Sequence, residues 1–101
     1  MARLRFTADA QDDLINITAY VARQSGSRVL ATAFRRQLRQ KCEQLASLPG
    51  IMGRERNELR DGLRSSVFKS YVIFYRYLGD DLEVVNILEG HRDMGTFFGD
   101  E

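Results

Sequence analysis

Apolar residues along this chain keep a period of two, then a helical period, then a period of two again. Arg3-Leu4-Arg5-Phe6 alternates polar and apolar, as a short half-buried strand does. Thr7 and Asp9 follow with the chemistry of a helix start, a hydroxyl for free N–H groups and a carboxylate at the positive end of the dipole. Ala10, Leu14, Ile17 and Val21 then recur at spacings of 4, 3 and 4, which predicts an amphipathic helix. Ser25-Gly26-Ser27 stops that helix and caps the next. Leu30, Phe34, Leu38, Cys42 and Leu45 predict the buried stripe of a second, longer helix ending before Leu48-Pro49-Gly50. The connection is short, so the two helices form an antiparallel hairpin. Residues 50–62, GIMGRERNELRDG, carry glycines and charges without a sustained period and read as a surface loop.

Leu63 to Phe68, Tyr71 to Leu78 and Leu82 to Leu88 are rich in Val, Ile, Phe and Tyr and are separated by Lys69-Ser70 and Gly79-Asp80-Asp81. They predict a three-stranded antiparallel meander. The expected fold is therefore α+β: a strand, an α-helical hairpin, then the meander, with the helices packed on a small sheet and residues 1–101 forming one domain. Val72 to Tyr75 and Val84 to Leu88 are almost continuously apolar, which implies cover on both faces. The hairpin supplies one cover, and a partner is a candidate for part of the other.

Composition narrows the class. With 101 residues, 44% hydrophobic and 29% charged, the chain has the makeup of a folded globular protein rather than a disordered one. No apolar run approaches the roughly 20 residues that span a bilayer, and MARLRF lacks the apolar segment of a signal peptide, so the expected location is cytoplasmic. The lone Cys42 cannot form an intramolecular disulfide, and one Cys with one His is too few for a structural zinc site, so no metal or cofactor is expected. The net charge of +1 hides a polarity: residues 1–60 hold 11 Lys and Arg against 6 Asp and Glu, and residues 61–101 hold 4 against 8. Between Asp13 and Glu43 there is no acidic residue, while Arg23, Arg28, Arg35, Arg36, Arg39 and Lys41 all fall there. Arg28, Arg35 and Arg39 share one helix face, which is either an ordinary solvated surface or a positive field for an acidic partner.

Candidate chemistry gathers at the end of the meander in His91, Arg92 and Asp93. Histidine titrates near neutrality and suits a general base, but a histidine after a strand also serves as a plain hydrogen-bonding group. Arg92 and Asp93 form either a salt bridge tying the C-terminal tail to the sheet or part of a recognition surface. Tyr71, Tyr75 and Tyr77 share one face by alternation and read as core or as a stacking platform for single-stranded nucleic acid. Cys42 sits on the apolar stripe as a small core residue. Gly53-Arg54-Glu55-Arg56 lacks the Gly-Lys-Ser/Thr ending of a phosphate loop.

Three blocks, ADAQDDLINITAYVARQSG, LASLPGIMGRERNELRDGLRSS and YVIFYRYLGDDLEVVNILEGHRD, together resemble the ParE toxins of the RelE/ParE toxin–antitoxin superfamily. The resemblance rests on Asp12-Asp13 before Leu14, Ile17 and Tyr20, on Pro49, Gly53-Arg54, Glu58-Leu59 and Gly62-Leu63-Arg64, and on the final apolar hairpin. It implies the same strand, helix, helix, three-strand fold. RelE-like members are ribosome-dependent ribonucleases, whereas ParE-like members act on DNA gyrase. Cleavage at a 2′-hydroxyl needs a base, cations for the phosphorane and an acid for the leaving oxygen. Laid on the RelE pattern, the strand lysines fall at or near Leu63 and Ser65, the strand arginine on Val72 and the C-terminal tyrosine near Phe98. Arg92 alone stays in place, although a shift of one residue brings in Arg64 or Arg76.

The resemblance thus implies a non-enzymatic ParE-like inhibitor of DNA gyrase, neutralised by a ParD-like antitoxin, with no cofactor, no membrane and no direct nucleic-acid contact. Arg64, Arg76, His91, Arg92 and Asp93 are the expected target-binding residues. Ile15, Ala19, Arg28, Arg35 and Arg39 are the expected antitoxin-binding residues, the antitoxin tail lying between helix hairpin and sheet. The alternatives are a RelE-like mRNA endoribonuclease and an interaction module without activity of its own.

Overall fold

The computed structural model describes residues 2–99. The chain runs β1 (Arg3–Phe6), α1 (Ala8–Ser25), α2 (Arg28–Ser47), β2 (Arg54–Glu55), β3 (Arg64–Phe68), β4 (Tyr71–Leu78), β5 (Asp81–Glu89) and α3 (Met94–Phe98). Thr7 caps α1: its hydroxyl accepts from the Ala10 amide at 3.0 Å and donates to the Val85 carbonyl at 2.8 Å. That one side chain fixes both the helix start and its height above the sheet. Gly26 closes α1 at φ 69°, its amide reaching the Ala22 carbonyl at 2.9 Å, and Ser27 caps α2 through the Leu30 amide at 3.1 Å.

The strands form one sheet in the order β1-β5-β4-β3-β2. The expected meander is β3-β4-β5, and β1 joins it parallel to β5, Arg3 to Phe6 opposite Asp81 to Val84. Segment 50–62, read as loop, also contributes β2, two residues paired with Ser65 and Arg64. The turn between β4 and β5 is Gly79-Asp80, because Asp81 enters the ladder opposite Leu78 and Arg3.

α1 and α2 cover one face. Ala10, Leu14 and Ile17 meet Leu38, Cys42, Leu45 and Ala46 above Ile73, Tyr75, Leu82, Val84 and Ile87. Cys42 is fully buried, and burial pushes its thiol up to about 12. The α2 stripe differs from expectation at its start. Leu30 is 57% exposed and Ala31 is buried, since the inward positions follow 31, 38, 42 and 45. Phe34, one turn on from Leu30, packs its ring edge to face with Phe68 and Tyr71 at centroid distances of 5.7 and 5.8 Å. The tyrosine face points into this core: Tyr75 is fully buried and Tyr71 and Tyr77 pack beside it.

The second cover comes from the chain itself. Phe98 of α3 sits with Leu63, Phe74, Val85 and Leu88, and Leu59, Val72 and Met94 pack around them. Periodicity gives no sign of α3, which is only one turn long.

Asp81 joins the first strand to the last. It accepts from Arg3 Nε at 2.9 Å and from Arg5 Nη1 at 3.3 Å. The Arg3 hydrogen bond, then Arg5, holds its carboxyl below the usual 3.8. A carboxyl depressed on folding adds stability above its unfolded pKa and loses it as pH falls through the folded value. Asp81→Asn should therefore be less stable than the parent at about pH 6, and the gap should close as pH falls below the usual carboxylate range, as followed by urea unfolding at several pH values. A gap that stays constant down to acid pH would remove the ion pairs from the account.

Among the described residues no helix is long and apolar enough to cross a membrane.

Candidate functional site

Because β1 ends at Phe6, the last residues of β5 have no strand on that side. Backbone groups at such an edge need other partners. α1 supplies them: the Thr7 amide donates to the Val84 carbonyl at 3.0 Å, and Asp13 Oδ2 accepts from the Ile87 amide at 2.9 Å and from Asn86 Nδ2 at 3.0 Å. A bulge at this point assists. Tyr75 pairs with Val84 and Phe74 with Asn86, which leaves Val85 outside the ladder.

Beyond the Asp13 clamp, helix and sheet part to leave a cleft of about 330 Å³. Asn16, Ile17 and Tyr20 of α1 form one wall, and Tyr71, Leu88, Glu89 and Arg92 the other. Tyr20 is 46% exposed. Burial, then the Glu89 charge, raises the Tyr71 hydroxyl above its ordinary value. Ile17, Ile87 and Leu88 with two tyrosines, set among the polar side chains of Asp13, Asn16, Glu89 and Arg92 beside a strand end that has no neighbouring strand, suit the docking of a polypeptide segment.

The polar residues singled out in the sequence do not converge here. Arg92 lines the cleft, with its guanidinium 5.2 Å from the Phe97 ring centre. His91 lies in a separate hollow with Val67, Val72 and Lys69, and the Lys69 ammonium turns away to Gln37 at 3.1 Å. Asp93 caps α3, Oδ1 accepting from the Thr96 amide at 3.2 Å and Oδ2 from the Thr96 hydroxyl at 2.9 Å. Those bonds to Thr96 hold its carboxyl below the usual 3.8. The Arg92–Asp93 salt bridge considered from the sequence does not form, because the cap aims the carboxylate into α3. Arg76 pairs with Glu83 at 2.8 Å across β4 and β5.

Arg64 is engaged in a clasp. Its Nε donates to the Met52 carbonyl and its Nη2 to the Gly53 carbonyl, both at 2.8 Å. The Tyr75 hydroxyl donates to the same Met52 carbonyl at 2.9 Å and so accepts from Ser66 at 2.8 Å, while the Met52 amide donates to the Tyr77 hydroxyl at 3.0 Å. Arg64 thereby anchors the loop after α2 to the sheet.

Ile15, 61% exposed, and Ala19 lie on the outward side of α1 and outside the cleft. Arg28, Arg35 and Arg39 keep their common face on α2. Arg39 pairs with Glu43 at 3.4 Å and lies 5.1 Å from the Phe6 ring centre. Sequence reasoning did not assign Asp13, Tyr20, Tyr71 or Glu89 to the site. Asp13 and Tyr20 flank the buried stripe of α1 on one side, the only signal of their position that the sequence carries.

Residues 4–94 match the family model described as ParE toxin of type II toxin-antitoxin system, parDE. Toxin ParE3 of Caulobacter vibrioides is 29% identical over 99 residues, covering 98% of this chain and 97% of that protein. Toxin ParE1 of the same organism is 33% identical over 96 residues, covering 95% of each. In fold, the chain is similar to a solved chain described as the chromosomal ParDE TA system from P. aeruginosa, with a TM-score of 0.77 and 19% identity over 88% of this chain and 96% of that one.

Proposed function

Because this chain belongs to the ParE toxin family of type II toxin–antitoxin systems, we propose that it is a non-enzymatic cytoplasmic inhibitor of DNA gyrase, silenced by a ParD-like antitoxin. The dispersal of its polar residues is the observation that carries the inhibitor reading. Phosphodiester cleavage needs a base and cations around one reacting phosphate. Here Arg64 is committed to the loop clasp, Arg76 to Glu83 and Asp93 to α3, and His91 and Arg92 line different hollows. These groups serve a folded scaffold with exposed contact points rather than a shared reaction centre.

The antitoxin enters the cleft between α1 and the sheet as an otherwise disordered tail, with an apolar side chain between Tyr20 and Tyr71 and its backbone along the open edge of β5. Folding on binding fits a labile inhibitor of the toxin. Induction of the chain in bacteria tests the inhibitor reading. Growth should stop with a DNA-damage response while protein synthesis continues, and co-expression of the small protein encoded beside it should restore growth. An immediate arrest of translation without DNA damage would point to the ribosome and overturn the reading.

A further inference from the structure

The outer edge of the sheet is only partly covered. β2 pairs with Arg64 and Ser65 and goes no further, so the rest of β3, Ser66 to Phe68, has β4 on one side and no strand on the other. Backbone groups along an antiparallel strand turn to its two sides by alternate residues. The Leu63 carbonyl accepts from the Arg56 amide at 2.8 Å on the β2 side, so Ser65 and Val67 turn their polar groups that way too. Arg54 lies opposite Ser65, and in the same register Met52 would lie opposite Val67. Met52 is already engaged. Its amide donates to the Tyr77 hydroxyl at 3.0 Å, and its carbonyl accepts from Tyr75 at 2.9 Å and Arg64 at 2.8 Å. Gly53, at φ 86°, marks the turn where the chain leaves the ladder. The clasp thus holds the Val67 edge open, with that side chain 67% exposed.

Both faces of this edge carry a hollow. Phe68 lies on the α2 side, where its ring meets Phe34, and it lines a hollow of about 520 Å³ with Lys41, Gln37, Gln40 and Gln44. Val67 and Val72 lie on the other face and line a hollow of about 300 Å³ with Lys69 and His91. The chain has two lysines, and both are here. The Lys69 ammonium stands 5.5 Å from the Phe34 ring centre and 5.6 Å from that of Phe68. Among the described residues neither lysine pairs with a carboxylate, and no carboxylate lines either hollow.

From these features we infer that the Val67 edge takes an extended segment of a partner protein in which Asp or Glu alternates with Val or Ile. An added strand lies about 4.8 Å from β3 and exchanges both backbone bonds with Val67. The residue opposite Val67 shares its face, and the residues before and after point to the α2 side. Val or Ile therefore covers Val67 and Val72, while the carboxylates meet Lys41 and Lys69. A second copy of β3 brings lysines in place of acids, which disfavours pairing of the chain with itself. The inference depends on neither gyrase nor the cleft.

The test uses the full chain and a fluorescein-labelled peptide of about ten residues with Glu-Val-Glu-Ile-Glu at its centre, followed by anisotropy. Salt is kept at about 0.1 M, where charges more than about 10 Å apart are largely screened. The peptide should bind and should slow hydrogen exchange of the Val67 amide. Val67→Pro removes that outward amide while leaving the bonds to β4, and should weaken binding by about tenfold or more. Lys41→Glu with Lys69→Glu should weaken it to a similar degree. Arg23→Glu with Arg28→Glu, the same change of charge beside the turn between α1 and α2, should leave binding within about twofold. Circular dichroism establishes that each variant is folded. Binding that leaves exchange of the Val67 amide unchanged would overturn the inference, as would equal binding of a peptide with Lys in place of Glu or equal losses from the Arg23 and Arg28 pair. So would absence of binding, or a dimer of the chain in sedimentation that Val67→Pro abolishes, which would make the edge a contact between copies.

Discussion

Gly53→Ala should lower stability by about 3 kcal/mol, a fall in midpoint temperature on the order of 15 °C for a chain of this size. Two costs add. Gly53 has φ 86°, where an alanine pays about 1–2 kcal/mol for its β-carbon. A β-carbon there also overlaps the Tyr75 hydroxyl, held in the clasp around Met52, and comes within 2.7 Å of the carbonyl oxygen of Ser65, which pairs with Arg54 in the sheet. Relief would require Tyr75, fully buried, to give up its bonds to Met52 and Ser66. Gly79 isolates the first cost: its φ is 57° and a β-carbon would meet nothing within 4 Å. Gly79→Ala should therefore cost only about 1 kcal/mol. Equal losses at the two positions, measured by urea unfolding, would mean that the clasp is not tight.

Asp13→Ala should cost about 2–4 kcal/mol, because it strands the Ile87 amide and the Asn86 side chain beneath α1. Asn86 is buried, so water does not readily replace the lost acceptor. Asp12, exposed next to it, makes no such bonds, and Asp12→Ala should stay within about 0.5 kcal/mol of the parent. Hydrogen exchange gives a local readout: the Ile87 amide should exchange much faster in Asp13→Ala than in Asp12→Ala. The consequence reaches function, since Asp13 sets the spacing between α1 and β5 from which the cleft opens. An Ile87 amide equally protected in both variants would show that some other contact holds the helix down.

Local periodicity was enough to predict the strand, the helical hairpin and the meander, because each rests on side chains three, four or two residues apart. Thr7 and Ser27 were readable as caps for the same reason. Contacts distant in sequence were not readable. The parallel union of β1 with β5, the clasp of Arg64 and Tyr75 on Met52, and the clamp of Asp13 on Ile87 join residues far apart in the chain. The cleft depends on such contacts, so Tyr20 and Tyr71 showed their types in the sequence but not their proximity. The apparent cluster His91-Arg92-Asp93 illustrates the opposite case. Neighbours in sequence, they diverge in space because the chain turns after β5 and spends Asp93 on starting α3. Leu30 joined the expected stripe by spacing alone, yet Ala31 is the residue that faces the sheet.

The central claim is that this ParE-family toxin acts by binding and not by catalysis. It is tested most directly by titrating the purified protein and its His91→Gln variant into a DNA gyrase supercoiling reaction, with message on programmed ribosomes as the parallel substrate. Glutamine keeps hydrogen bonding near His91 but cannot transfer a proton, a change that costs a general base about 10²- to 10⁴-fold in rate. The account predicts that both proteins inhibit supercoiling at similar concentrations and leave the message whole. Cleavage of the message by the parent, lost in His91→Gln, with supercoiling untouched, would contradict it.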